Sequence, residues 1–436
     1  MPGAGGLQCR HDEQLGAELH HLIERLYPIC RSITGDGVRE TLRIIAEFIP
    51  LEISEVPSGT QVFDWVVPDE WNIRDAWIKN SKGERIVDFQ QLNLHVLNYS
   101  APVEKTLQLN ELKKYLHTLP EHPDWVPYRT SYHDRNWGFC LSHKQYLELP
   151  EDDYQVRIDS TLEPGHLTYG EYLLKGESPD EVLISCHICH PSLCNDNLSG
   201  IAVAAYLAMA LRQSTPRYSY RFLFIPGTIG SITWLSRNEE RVAHIKHGLV
   251  LSLLGDSGKF NYKKSRRGDA QIDRLVTRHL QREYDDFGLI DFYPYGYDER
   301  QFCSPGFNLP VGRLSRTPHG EFPEYHTSAD NLDFVKPESL ADSYQLLCNL
   351  IQELESAEKY LNLSPKCEPQ LGKRGLFKKI GGQSRSKDSQ MALLWVLNLS
   401  DGEHSIEDIC ERSGLNIDVI REAVEALLGV DLLQRI

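Results

Sequence analysis

The sequence predicts an α/β protein: a doubly wound mixed sheet carrying an inserted mainly-β subdomain and a C-terminal winged helix-turn-helix. Three observations carry this reading. Through the middle of the chain, apolar runs of buried-strand type (EVLISCHI 181–188, YRFLFIP 220–226, HGLVLSLLGD 247–256, LPVGRLS 309–315) alternate with helical segments. Five of the seven Trp (Trp65, Trp71, Trp77, Trp125, Trp137) crowd into a stretch of short alternating runs before that. The segment 388–436 then has the order helix, helix, glycine turn, helix, short apolar run.

Residues 12–30 place Leu15, Leu19, Leu22, Ile23 and Leu26 on one helical face. Gly35 and Gly37 break the chain, Val38 to Phe48 repeats the period, and Pro50 stops it. LEISEV (51–56) alternates as a strand. Residues 58–150 read as the insertion, because runs such as WVVP, DAWIKN and NLHVLNY are separated by Gly, Pro and Asn. The core, 1–57 and 151–365, resumes with helices at 198–213, 269–284 and 338–361 between its strands. Residues 366–387 are basic and Gly-containing, a linker to the winged helix of 388–436.

The chain has 436 residues with 46 Lys+Arg and 62 Asp+Glu, a net charge of −16. Such a balance disfavours a nucleic-acid partner unless the bases cluster. They do not in 388–436, which holds ten acids against Arg412, Arg421 and Arg435; its expected recognition helix carries Asp418, Glu422 and Glu425. A protein partner or homo-oligomer contact suits that domain better. No run approaches a membrane span, and MPGAGGLQCRHDEQ has no basic flank before an apolar stretch. The expectation is a cytoplasmic protein with its ten Cys reduced, no membrane and no nucleic acid.

Four segments could carry chemistry. In SCHICHPSLCNDNLSG (185–200) a buried strand runs into His187, with His190 and Asp196 in the loop that opens a helix. Imidazole and carboxylate are the donors zinc takes in hydrolases, and a loop from strand end to helix start can aim both at one ion. GEFPEYHTSADNLDFV (320–335) flanks His326 with Glu321, Glu324 and Asp330. YGYDERQFCSPGFNLPVG (296–312) offers Asp298, Glu299 and Arg300 ahead of a strand, and LSLLGDSG ends an apolar run on Asp256. Taken singly, each segment also fits a capped helix or a solvated loop.

In this order the segments resemble the zinc exopeptidase clan of co-catalytic aminopeptidases, which includes the single-zinc glutaminyl cyclases. His187 and DNLSG match its first motif, Asp256 its strand-end Asp, YDERQF before GFNLPV its fifth piece, and HTSAD with His326 its last. More narrowly, CHPSLCNDNLSG, TIGSI, SRRG, DERQFCSPGFNLPVG and PEYHTSADNLDF are similar to an uncharacterised bacterial group that joins an aminopeptidase-like core, an inserted β domain and a winged helix. The resemblance implies one or two Zn2+ held by His187, Asp196, His326 and Asp256, with His190 an additional imidazole. It also implies a small peptide or amide substrate.

One departure matters. Where the clan carries a Glu-Glu pair supplying a base and a ligand, this chain reads IPGTIGSI, with Pro226 and Gly227 in that place. Three outcomes stay open. A carboxylate from elsewhere (Glu239, Glu240, Glu299 or Glu324) takes the base role, Glu324 being first choice for its closeness to His326. The site holds one zinc on His187, Asp196 and His326. Or the protein is a catalytically degenerate metal-binding scaffold whose winged helix mediates interaction or regulation. Asp298 matches the clan's acid in its motif, and the planar fork of Arg300 suits a substrate carboxylate or an oxyanion. KKSRRG (263–268) is a second cationic cluster that could line the same mouth.

Overall fold

The computed structural model describes residues 9, 10, 12, 14–132, 134–376 and 387–436. It divides into two compact units, 1–350 and 351–436.

The first unit opens with helices α1 (Leu15–Leu26) and α2 (Asp36–Ala46), whose buried faces carry the predicted leucines and isoleucines. Strands follow in chain order: β1 (Glu52–Pro57), β2 (Glu70–Lys79), β3 (Arg85–Asp88), β4 (Val103–Gln108), β5 (Asp153–Glu163), β6 (His166–Leu174), β7 (Glu181–His187), β8 (Ser219–Ile225), β9 (Ile245–Leu251), β10 (Phe260–Lys263), β11 (Phe287–Ile290) and β12 (Val311–Ser315). Its longer helices after α2 are α3 (Gly200–Leu211), α4 (Ile229–Arg237) and α5 (Gln271–Glu283), and α6 (Pro337–Ser356) runs from the first unit into the second.

The eight-stranded sheet has the order β1-β6-β8-β7-β9-β12-β10-β11. Its centre, β8-β7-β9-β12, is parallel, whereas β1, β6 and β10 pair antiparallel. The mixed α/β sheet foreseen from the sequence is therefore present. β7 and β8 are buried at every residue, which is why they read as continuous apolar runs rather than as alternation. α3 is buried on nearly all sides, so its helical stripe is blurred.

A second sheet, β3-β2-β5-β4, carries Trp71 and Trp77 of the Trp-rich stretch. Its strand β5 runs to Glu163, past residue 150. One apolar cluster contains Trp71, Ile78 and Val156 of this sheet together with Leu183 and Val250 of the large one. The helix read over 338–361 stops at Ser356, and Lys359–Asn362 is strand. Cys9 and Cys348 form a disulfide, which corrects the expectation that all thiols are reduced.

The second unit holds β13 (Lys359–Asn362), α7 (Lys387–Leu399), β14 (Asp401–Ser405), α8 (Ile406–Ser413), α9 (Ile417–Leu428) and β15 (Leu433–Arg435), with sheet order β14-β13-β15. α8 starts with a reciprocal cap: Asp408 N–H donates to the Ser405 hydroxyl, and Ser405 N–H donates to the Asp408 carboxylate. Asp418, Glu422 and Glu425 are exposed on α9. The linker's residues 377–386 lie outside the described residues, but Leu371 and Leu376 belong to this unit's core. No helix among the described residues is long and apolar enough to cross a membrane.

Candidate metal centre

The site forms where the parallel strands end, because their loops have no further sheet to join and their polar side chains converge there. β7 delivers His187 as its last residue. The loop that follows is fixed from beneath by Arg31, which is fully buried and donates to the carbonyls of His190 (2.7 Å) and Pro191 (3.2 Å). The loop returns at Asp196, just before α3. There Asp330 accepts the N–H groups of Asn195 (2.6 Å) and Asp196 (3.0 Å).

Asp196 is the hub. His187 Nε2 lies 2.8 Å from its Oδ1, His326 Nε2 lies 2.9 Å from its Oδ2, and His190 Nδ1 lies 3.5 Å from the same Oδ2. Ligand atoms of His187, His190 and Asp196 all fall within 4.8 Å of one another. Burial alone would raise the Asp196 pKa, but the imidazoles of His190, His187 and His326 outweigh it and hold the carboxyl well below the usual range. Burial lowers His187 and His326, keeping their rings neutral, which is the ligand form. The Nδ1 atoms of His187 and His190 are buried without a hydrogen-bond partner. Two neutral imidazoles around one ionised carboxylate, with His190 beside them, match the donor set that zinc takes.

Aromatic rings pack around these ligands. Tyr297 stacks on His187 (centroids 4.6 Å apart) and donates to Asp196 Oδ1 at 3.2 Å. Tyr325 stacks on His326 at 3.9 Å. Tyr128, from the Trp-rich stretch, sets its ring edge-on to both His190 (5.2 Å) and His326 (5.0 Å). His326 has a left-handed backbone, φ +58°, and its carbonyl accepts the Tyr128 N–H at 2.7 Å. A β-bridge between Pro127 and Thr327 continues that pairing.

Asp298 is fully buried beside the cluster. Its Oδ1 accepts the Ser231 hydroxyl at 2.6 Å, and its Oδ2 has no partner. Burial pushes its pKa up to about 7. A Cβ added at Gly227 would lie 3.1 Å from His187 Cβ and 3.3 Å from Asp298 Oδ2. Asp298 thus reaches the space beside the position where the clan's acidic pair would stand, and the glycine keeps that space open.

Three expected residues are placed differently. Asp256 is not among the converging donors. β9 ends at Leu251, so Asp256 lies in the following loop, where Thr317 Oγ1 (2.7 Å), Gly258 N–H (2.7 Å) and Asn195 Nδ2 (2.8 Å) use its oxygens. It therefore positions the Asn195 loop. Glu324 lines a separate cleft of about 330 Å³ with Asp256, Thr317, Phe322 and Lys336. No described hydrogen bond or ion pair joins its side chain to the histidines. Arg300 reaches none of them either; its charge acts on Asp298, and its Nε is buried without a partner. In KKSRRG, Lys263 is buried against Glu299 (2.9 Å), while Arg266 and Arg267 hold Asn308.

A family model described as Domain of unknown function (DUF4910) matches residues 20–357 of the chain, and a winged helix-turn-helix model matches residues 358–435. The chain belongs to the DUF4910 family. A relative from Clostridium acetobutylicum, named for polysaccharide biosynthesis and for an aminopeptidase-like domain, is 54% identical over 425 residues, 98% of each chain. A crystal structure of a candidate peptidase from the same organism superposes with a TM-score of 0.82 at 53% identity, covering 97% of this chain and 96% of that one. A zinc aminopeptidase from Bacillus subtilis superposes with a TM-score of 0.57 at 13% identity, covering 79% of this chain and 96% of that one. This DUF4910 member therefore has the aminopeptidase fold, as its motif order implied.

The sequence reading missed Tyr128, Tyr297, Tyr325 and Arg31. Tyr297 and Tyr325 flank the recognised Asp298 and His326 and could have been found by that adjacency. Nothing local marks Tyr128 or Arg31, which reach the site through pairings distant in the chain.

Proposed function

We propose that this protein is a zinc-dependent amide hydrolase of aminopeptidase type, acting on a small peptide or amide. The observation that carries the reading is the convergence of His187, His190 and His326 on the ionised Asp196 beside the free oxygen of Asp298. Zinc held by these residues would polarise a carbonyl and acidify water. The residues of the chain divide the remaining work. Asp298 takes the proton of the attacking water at Oδ2 and returns it to the leaving nitrogen, in place of the base chosen from sequence, Glu324. Ser231 holds Asp298 through Oδ1, so the working oxygen faces the site. Tyr128, Tyr297 and Tyr325 orient the imidazoles and limit water. Asp330 and Asp256 fix the loop that presents Asp196.

The relative's name speaks of polysaccharide biosynthesis, so amides of saccharides belong in the screen beside aminoacyl amides. The exposed acids of α9 favour a protein partner for the winged helix over a nucleic acid. The missing acidic pair at 226–227 supports the other reading, a metal-binding scaffold without turnover.

The test is elemental analysis of the purified protein followed by a turnover screen of aminoacyl and acyl amides. The expected result is stoichiometric zinc and an activity abolished in His187→Ala and Asp196→Ala. Stoichiometric zinc without turnover would favour the scaffold, and absence of bound metal would refute both.

A further inference from the structure

Next to Tyr297 lies a group of charges that the proposed hydrolysis does not use. Arg313 on β12 is fully buried. So are Lys263 and Glu299, joined at 2.9 Å, with Glu299 lying 3.9 Å from Arg313. Arg313 Nη1 donates to Nδ1 of His319 at 2.9 Å. Guanidinium nitrogens only donate, and arginine does not lose its proton in proteins. Nδ1 of His319 must therefore be the bare, accepting nitrogen, and the ring proton sits on Nε2. Nε2 has no hydrogen-bond partner among the described residues.

His319 is partly exposed, and its neighbours are the site's own rings. Its centroid is 5.2 Å from Tyr297, which covers His187, and 6.3 Å from Tyr325, which covers His326. The hydroxyls of Tyr297 and Tyr325 are themselves 3.2 Å apart. Burial, reinforced by the charge of Arg313, pushes His319 down to about 4, against the opposing pull of Glu299 and Asp196; Lys263 adds to the lowering. The ring is therefore neutral at pH 7.

We propose that His319 is a catalytic residue of this site, its Nε2–H donating to the carbonyl oxygen of the scissile amide. The proposal rests on the hydrolase reading above. When water adds to the carbonyl carbon, a C–O bond forms and the π pair of the C=O moves onto oxygen. The water proton passes to Asp298. On collapse the C–N bond breaks, the C=O re-forms, and the nitrogen takes that proton. The charge on oxygen is transient, so a donor fixed in advance lowers the barrier without reorganising. Arg313 does the fixing: it selects the tautomer that presents an N–H and opposes a second proton on Nδ1. Tyr297 could have served as the donor, but its hydroxyl already has two acceptors, Asp196 Oδ1 and the Tyr325 hydroxyl, each at 3.2 Å.

The test has two arms on the full chain. In the first, long-range 1H–15N NMR of the histidine-labelled, metal-free protein at pH 7 should show His319 with Nε2 protonated and Nδ1 bare. An Nδ1–H tautomer or a doubly protonated ring overturns the proposal. In the second, kcat and KM are measured for His319→Phe and His319→Gln on whichever amide the wild-type chain cleaves. Loss of an oxyanion donor lowers kcat by about 10²–10³-fold. His319→Phe should show that loss with KM changed less than about threefold, while His319→Gln, which keeps an N–H, should recover to within about tenfold of wild type. Phe retaining wild-type kcat overturns the proposal, and so does Gln failing to recover at an unchanged melting temperature. A wild-type chain inert towards every amide in the screen overturns the hydrolase reading itself, and this proposal with it.

Discussion

Replacing Asp298 by Asn tests the assignment of the base with two independent readouts. The change preserves shape, and the Asn carbonyl can still accept the Ser231 hydroxyl that lies 2.6 Å from Oδ1. What it removes is the free carboxylate oxygen. Loss of a positioned base lowers kcat/KM by about 10²–10⁴-fold. The second readout needs neither metal nor substrate. Burial raises this carboxyl from its ordinary 3.8 to about 7. Between those pH values the folded chain keeps a proton that the unfolded chain has released. Wild-type stability therefore falls as pH rises through that window and levels off above it. Each pH unit is worth about 1.4 kcal/mol, so the interval from pH 5 to 7 costs the wild type on the order of 2–3 kcal/mol that the neutral Asn does not lose. Urea denaturation of the metal-free protein at pH 5 and pH 8 measures this as a stability difference, variant minus wild type, that grows with pH. A difference that is the same at both pH values, together with retained activity, would refute the reasoning.

Gly227→Ala places a methyl 3.1 Å from His187 Cβ, a backbone-anchored atom that cannot swing away. Overpacking of this kind costs about 1–3 kcal/mol, so the melting temperature and zinc affinity should both fall; an unchanged protein would show that the gap is wider than described. His190→Ala should weaken zinc binding at least tenfold in chelator competition if this imidazole serves the ion, and affinity equal to wild type would leave His187, Asp196 and His326 as the complete set (roughly the scale of losing one orienting partner). Glu70, gripped by Arg39 through two hydrogen bonds of 2.8 and 2.6 Å, is held down at about 2 from an ordinary 4.5. Its lowered pKa stabilises the fold above 4.5, and this is lost as pH falls towards 2. Allowing for solvent screening, it is worth about 1–2 kcal/mol, so acid-unfolding curves of wild type and Glu70→Gln should converge over that interval; parallel curves would refute the pairing.

The strand-end position of His187 and the helix-opening position of Asp196 made their convergence legible, because both face the same end of the sheet, whereas His326, in a loop well after β12, was legible only through the order of motifs. Glu324 misled because two-residue spacing fixes a side only on a strand. Here Thr327 N–H turns back onto the Glu324 carbonyl, and His326 takes a left-handed backbone, so the two side chains serve different clefts. Asp256 misled because HGLVLSLLGD is apolar well beyond Leu251, where the ladder stops; composition marks burial, not hydrogen bonding. The same ambiguity hid the end of α6, since Lys359–Asn362 continues a helical-looking stretch but pairs with β14 and β15. Tyr128 and Arg31 were illegible because their roles arise from contacts across long stretches of chain, which no local pattern encodes.

The pairing of Pro127 and Tyr128 with the His326 loop has a consequence for how this lineage can change. The Trp-rich stretch supplies the backbone that seats one imidazole. Exchanging it for the corresponding stretch of a relative would transplant the support of His326 along with it. The seating of His326 and the fold of residues 127–128 are thus mechanically linked, and neither can drift far without the other following.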